Sequence, residues 1–257
     1  AATGLTIPTG HFSLAMLDTF WLARDTASRL AALVRFDPAF ERHIFKSEAQ
    51  ICLTAHMGNW EVLGMSVTQK GYPLTSVTAP LKNPWVDQLF NTLRNMTGQQ
   101  TVPKQGAVRT LLKTLRSGSK IALVMDQNTK PVHGGIFVDF FGCPAPFSSA
   151  AAQLALRTGA PVFIGTCIAD ARGGYYCPPV LAVSTDNLPP DEPTAVLALT
   201  QRIAHGMEEL IRTYPGAWLW TYKRWKIRPA QEDPSRFPYY TRAMRPGDVS
   251  KGQWPVG

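Results

Sequence analysis

The sequence predicts an α/β fold, a single domain with a mostly parallel central sheet flanked by helices. Three observations predict it. Short apolar or β-branched runs at Ile51–Ala55, Leu74–Ala79, Thr101–Pro103 and Ile121–Met125 are each followed or preceded by a longer run of helical periodicity. That alternation is the pattern of βαβ units with right-handed crossovers, in which functional residues gather at the carboxyl ends of the strands. Hydrophobic residues make up 45% of the 257, enough for a substantial buried core, and no internal repeat or low-complexity linker divides residues 1–257.

Taken in order, residues 11–35 carry a helical stripe in which Phe12, Met16 and Phe20 recur every four residues and Leu17, Trp21 and Leu22 widen it. This N-terminal segment, 1–46, is expected to dock on the body of the fold, with interfacial binding to a membrane as the alternative. Asp37–Lys46 reads as a short helix with Pro38 at its first position. Helices follow the corner at His56 and cover Pro84–Met96 and Gly106–Leu115. Ile136–Phe141 reads as a strand and Phe147–Leu156 as an Ala-rich helix opened by Ser148 and Ser149. Pro161–Ala169 and Tyr175–Val183 read as two strands joined by the turn Arg172-Gly173-Gly174. A Pro-rich link at Leu188–Pro193 leads into a long helix over Thr194–Thr213, ended by Pro215-Gly216. From about Pro229 to Gly257 a tail is expected to pack on the surface.

The chemistry centres on Ala55-His56-Met57-Gly58-Asn59-Trp60-Glu61, where a strand pattern stops and a helix pattern begins. Gly58 and Asn59 suit a tight turn, and Asn59 suits a helix N-cap as well as a substrate contact. Histidine is the side chain suited to general base catalysis near neutral pH, and a carboxylate turned onto its ring, here Glu61, would fix its tautomer. The alternative is a histidine serving only as a cap, which the HxxNWE spacing argues against. Because His56 and Asp126 both fall at strand ends, topology predicts their convergence in one cleft. Asp126 and Gln127 can orient a substrate, pair with an arginine such as Arg94, or cap the strand. Phe137, Phe140, Phe141 and Phe147 can line an acyl pocket or form ordinary core.

With 26 Lys+Arg against 18 Asp+Glu the formal charge is +8, which favours an anionic partner: membrane surface, phosphorylated ligand, acidic protein or nucleic acid. Between Gln88 and Met125 there is no acidic residue, while Arg94, Lys104, Arg109, Lys113, Arg116 and Lys120 all occur. The last four follow helical spacing and form a candidate basic face for phosphates or an acidic carrier. A second basic run, Tyr222–Arg228, mixes Lys223, Arg224 and Lys226 with Trp225, which suits a headgroup region or nucleic-acid stacking.

Several chemistries lack support. Cys52, Cys143, Cys167 and Cys177 have no CxxC spacing, and His11, His43, His133 and His205 have no metal-ligand spacing. No GxSxG, GxxxxGK[ST], GxGxxG or HExxH motif occurs, so no metal and no cofactor is expected. No apolar run reaches the ~18 residues that cross a bilayer.

The residues carry a resemblance. "LTAHMGNWE" at Leu53–Glu61, "LKNPWVDQL" leading to Arg94, "MDQN" at Met125–Asn128, "VDFFGCPAPFSSAAAQLALRTGAPV" at Val138–Val162 and "YPGAWLWTYKRWK" at Tyr214–Lys226 stand in the order found in the bacterial lipid A biosynthesis late acyltransferases. The chain resembles that family from about Thr3 to Arg228 and, more distantly, the HxxxxD/E glycerolipid acyltransferases. The resemblance implies transfer of a fatty acyl group from acyl carrier protein or acyl-CoA to a hydroxyl of a phosphorylated glycolipid, a lipid A precursor first among them. The place implied is the cytoplasmic face of the bacterial inner membrane. By the same resemblance His56 looks like the general base and Glu61 its orienting carboxylate, and Arg94 and Asp126 bind substrate phosphates or hold the site together. Lys104, Arg109, Lys113 and Arg224 are the further candidate substrate contacts. Two features depart from the family's pattern. Its hydrophobic anchor helix has no counterpart here, so membrane attachment is expected from a preceding segment or from the Trp/Lys-rich surfaces. Tyr222 stands where WxHxRWK has histidine. Relatives that acylate phosphatidylinositol mannosides share the HxxNW(D/E) corner, so acylation of another glycolipid or a lysophospholipid is the alternative, as is a non-catalytic anionic-lipid or nucleic-acid-binding protein. Under the acyltransferase reading no nucleic acid is expected.

Overall fold

The computed structural model describes residues 17–248, apart from positions 23 and 82. The part of the expected N-terminal helix before residue 17 and the end of the tail lie outside the described residues. In chain order the elements are α1 (Thr26–Leu33), β1 (Val34–Phe36), α2 (Pro38–Ile44), β2 (Gln50–Thr54), α3 (Trp60–Gln69), β3 (Leu74–Thr78) and α4 (Pro84–Met96). They continue with β4 (Gln100–Pro103), α5 (Ala107–Arg116), β5 (Lys120–Val124), β6 (Gly135–Phe140), β7 (Cys143–Ser148), α6 (Ala150–Thr158) and β8 (Val162–Ile164). The last are β9 (Ile168–Ala169), β10 (Tyr175–Cys177), β11 (Leu181–Val183), α7 (Glu192–Thr213), β12 (Ile227–Arg228) and β13 (Arg242–Ala243).

Six strands form the main sheet in the order β11-β8-β2-β5-β3-β4. Every neighbouring pair is parallel except β11 with β8, so the fold is α/β with a mostly parallel sheet, as the strand and helix alternation predicts. The sheet is covered on both faces, and the period-two geometry of its strands sorts the side chains. Ile51 and Leu53 of β2 and Val162 and Ile164 of β8 point into a core shared with α5, α6 and α7. The intervening Cys52 and Phe163 point to the opposite core, built with Leu30 of α1, Phe40 and Ile44 of α2, and Val62 and Met65 of α3. Strands buried on both sides read as continuous apolar runs, which is why Gln50–Thr54 is covered along its whole length rather than half-buried.

Some elements differ from the sequence reading. The expected helix over 11–35 breaks at Asp25, which takes a left-handed conformation (φ 53°) before α1. Residues 34–36 leave it to form β1, a parallel partner of β10. The expected helix from Phe147 starts at Ala150, because Cys143–Ser148 is a strand paired antiparallel with β6. The two-residue turn between them, Phe141-Gly142, takes positive φ at both positions (56° and 77°). The stretch Pro161–Val183 divides between two sheets: β8 and β11 extend the main one, while β9 and β10 form the hairpin beside β1.

The tail folds back onto the body through one buried carboxylate. Asp248, 3% exposed, accepts from Arg242 (Nη1 2.7 Å, Nη2 3.1 Å) and from the Arg245 amide (2.9 Å), and pairs with Lys130 (2.8 Å). The Arg242 hydrogen bonds hold its carboxyl well below the ordinary range against the opposing effect of burial, with Lys130 and the Arg245 amide adding to them. A depressed folded-state value means the stabilisation is complete above the unfolded aspartate pKa of about 4 and is lost as pH falls below it. Asp248→Asn therefore lowers the melting temperature at pH 7, and thermal melts at decreasing pH will show the gap to wild type closing below about pH 4.

Candidate active site

The site follows from one strand pairing. β2 and β5 run parallel with Thr54 opposite Val124, and Met125 N–H continues the ladder to the Thr54 carbonyl at 2.9 Å. Each chain then runs on two residues, to His56 and to Asp126, which therefore meet at the carboxyl end of the sheet. His56 Nδ1 lies 2.7 Å from Asp126 Oδ1, and the His56 amide donates to Oδ2 at 3.0 Å. Trp218 Nε1 donates to the same Oδ2 at 2.8 Å. Asp126 is 2% exposed. Burial pushes its carboxyl up, but its hydrogen bond and attraction to His56, with the Trp218 and backbone donors, leave it below the ordinary aspartate range. An ionised Asp126 accepts from Nδ1–H, and Nε2 lies on the other side of the ring, 3.3 Å from the Gln127 amide nitrogen.

The corner is held from two directions. Met57 N–H turns back to the Ala55 carbonyl (2.7 Å), Gly58 N–H reaches Ala217 O (2.9 Å) and Leu219 N–H reaches His56 O (2.9 Å). On the other flank Asn59 N–H donates to Cys167 O at 2.8 Å. Gly58 has φ 57°, and a Cβ there would lie 2.0 Å from the Cys167 carbonyl oxygen, so only glycine fits. α3 then opens with Asn59, whose Oδ1 caps the Val62 amide (3.1 Å), and the Trp60 ring meets the His56 ring edge-on at 4.9 Å. A shallow cavity of about 480 Å³ opens behind the corner, lined by Gly58, Asn59, Ile168, Tyr175 and the 214–217 turn.

The carboxylate on His56 is thus Asp126, which corrects the expectation for Glu61. His56 does precede the helix and Glu61 does lie in its first turn, but Glu61 faces α4. There Arg94 takes both its oxygens (Nε to Oε2 2.8 Å, Nη2 to Oε1 2.6 Å), and Trp60 Nε1 adds a third donor at 3.1 Å. With the guanidinium fork committed to Glu61 and Nη1 to Asn91 (3.1 Å), Arg94 braces α4 against α3 instead of facing a phosphate.

Other candidates sort by burial. Asn59 is 1% exposed; its Oδ1 caps the helix and its amide donates to Tyr175 (3.0 Å). Arg224 is fully buried, its guanidinium 4.2 Å from the Phe147 ring centre and bonded to Asn128 and the Pro146 carbonyl. Burial pushes its pKa down to about 10, and its Nε has no partner. Arg224 therefore supports the Asp126–Asn128 loop from beneath and has no exposed surface. Phe140 and Phe147 pack around it as core. Lys104, Arg109, Lys113 and Arg116 are exposed at and along α5, but Lys120 is 2% exposed, bonded to Gln50 Oε1 (2.9 Å) and backbone carbonyls, and does not belong to that face. Trp60 and Trp218 belong to the site; both fall in stretches the sequence singles out, but without a role. For Trp218 no local pattern points to its contact, since its partner is 92 residues away.

The Glu61 and Arg94 side chains are 8% and 14% exposed, and removing one partner strands the other. Glu61→Ala and Arg94→Ala should each cost about 3–5 kcal/mol in urea unfolding, and the double variant less than the sum of the two.

Comparison with known proteins places the chain. The phosphatidylinositol mannoside acyltransferase of Mycobacterium tuberculosis is 29% identical over 175 residues, 66% of this chain and 52% of that protein. The corresponding protein of Mycolicibacterium smegmatis is also 29% identical over 175 residues, 66% of this chain and 54% of its own. The lipid A biosynthesis acyltransferase of Haemophilus influenzae is 24% identical over 198 residues, 74% and 59% of the two chains. This chain spans about half the length of the relatives it matches. Among solved structures, the 1-acyl-sn-glycerophosphate acyltransferase PlsC of Thermotoga maritima aligns over 76% of this chain and 79% of its own, with a TM-score of 0.38 and 14% identity. The family model for bacterial lipid A biosynthesis acyltransferases matches residues 11–227, and the chain belongs to that family.

Proposed function

We propose that the chain is an O-acyltransferase that moves a fatty acyl group from a thioester to a hydroxyl of a membrane glycolipid, with His56 as general base. The observation that carries this reading is the 2.7 Å contact between His56 Nδ1 and a buried Asp126, which leaves Nε2 as the nitrogen for a substrate hydroxyl to engage in place of the Gln127 amide now 3.3 Å away. A hydroxyl placed at Nε2 loses its proton to the ring as its oxygen attacks the thioester carbonyl. Collapse of the tetrahedral intermediate breaks the carbon–sulfur bond, and the leaving thiolate takes the proton back from the imidazolium. Asp126 holds the ring in the required tautomer and stabilises the imidazolium formed midway. The thioester is already activated, so no enzyme nucleophile is needed.

The acceptor we favour is a phosphorylated glycolipid, in keeping with relatives named for lipid A biosynthesis and for phosphatidylinositol mannosides. The reaction belongs at an anionic membrane surface on the cytoplasmic side. No described helix is long and apolar enough to cross a membrane. The exposed Lys104, Arg109 and Lys113 lie after β4 and on α5, beginning at the sheet end that carries His56, and suit an acidic acyl carrier protein as donor or the acceptor's phosphates.

Acyl transfer from acyl carrier protein and from acyl-CoA to glycolipid acceptors tests the reading. His56→Ala and Asp126→Asn are each expected to lower kcat by about 10²–10⁴-fold with cooperative unfolding intact. Full activity in both variants would refute the mechanism, and acyl release without acceptor would mean hydrolysis instead. Reversing charge with Arg109→Glu and Lys113→Glu should raise KM for the carrier-borne donor several-fold at low salt, an effect that fades as ionic strength rises.

A further inference from the structure

The segment around Trp218 meets both members of the His56–Asp126 pair: its neighbours' backbone holds the His56 corner, and its own indole holds Asp126. On its backbone side, Met57 and Trp218 form an antiparallel bridge, with Ala217 O accepting from Gly58 and Leu219 N–H donating to His56 O, each at 2.9 Å. On its side-chain side, the indole N–H donates to Asp126 Oδ2 at 2.8 Å. We propose that Trp218 is a positioning residue for the acyl-transfer site, its indole fixing the Asp126 carboxylate against a His56 corner that the backbone of Ala217 and Leu219 holds in place. The inference rests on the acyltransferase reading for its catalytic consequence but not for its geometry.

The chemistry of the donor explains why the hold is effective. Oδ2 receives two N–H groups, from the His56 amide and from Trp218, so the carboxylate cannot rotate about its Cβ–Cγ bond without losing both. Oδ1 is then the oxygen aimed at Nδ1. An indole N–H only donates and carries no charge, so it neither competes with His56 for a proton nor neutralises Asp126. The direction of that N–H is set by packing. The ring is 5% exposed, meets Trp220 edge-on at 4.6 Å and Phe140 edge-on at 6.2 Å, and stacks parallel to Phe141 at 6.3 Å. Ring packing and hydrogen bonding are therefore separable: phenylalanine can fill most of the volume but cannot donate.

Trp218→Phe tests the assignment in the full chain labelled with ¹⁵N at histidine ring nitrogens. The His56 Nδ1–H resonance is identified by its loss in His56→Ala. In Trp218→Phe the exchange of that proton with solvent should accelerate about tenfold, and kcat should fall about 3–10-fold with KM held within about twofold. An unchanged Nδ1–H exchange rate in folded Trp218→Phe overturns the proposal, whatever happens to kcat, because a purely structural tryptophan would alter the melting temperature and not this proton. If Trp218→Phe fails to fold, benzothienylalanine installed at position 218 replaces only the N–H by sulfur and is read by the same two measurements. Absence of acyl transfer in wild type would instead sink the functional reading, while the exchange comparison still decides the hold on Asp126.

Discussion

A buried carboxylate that must stay ionised is the constraint on which the site depends. Asp126 sits at the end of a central strand, 2% exposed, where an unpartnered charge would cost several kcal/mol. Three donors meet it: the His56 ring, the His56 amide and the Trp218 indole. Each comes from a different constraint. The ring arrives through the β2–β5 register, the amide through the turn at Ala55–Met57, and the indole through the bridge to the segment after α7. The same contacts that make the charge tolerable also turn the other imidazole nitrogen toward Gln127 at the end of the sheet.

A second ion pair stands next to the first and serves a different end. Glu61 and Arg94 are adjacent to the site through Trp60, which touches His56 with its ring and Glu61 with its N–H. The bidentate arginine on Glu61 ties α4 to α3. The HxxxxE spacing thus encodes a brace beside the histidine, and the histidine's own partner comes from another strand.

The alternating strands and helices from β2 to β5 were legible because parallel strands covered on both faces leave dense apolar runs between helical periods. β7 was not, since Pro144 and Pro146 lack ladder donors and Phe141 is an uncommon residue for the first left-handed position of the turn it forms with Gly142. At the site, His56 stood out from its corner, and topology placed Asp126 in the same cleft. The partner assignment went to Glu61 because local spacing weighs near neighbours, whereas the pairing of β2 with β5, 70 residues apart at the dyad, is a property of strand order that no local pattern carries. Arg224 read as a surface cation because its run is basic; the aromatic shell of Phe140 and Phe147 that encloses it comes from the ribbon the sequence had hidden.

The bridge between Met57 and Trp218 has a consequence for how the chain matures. As the polypeptide leaves the ribosome, His56 appears first, Asp126 follows 70 residues later, and Trp218 follows after a further 92. Contacts so widely separated close late, since the entropy of the intervening loops must be lost before they contribute. The pairing of β2 with β5 can therefore precede the last of the three contacts to Asp126, which needs the segment after α7. A nascent or truncated chain that stops short of residue 218 would carry His56 and Asp126 without the indole that supplies the third donor to the carboxylate.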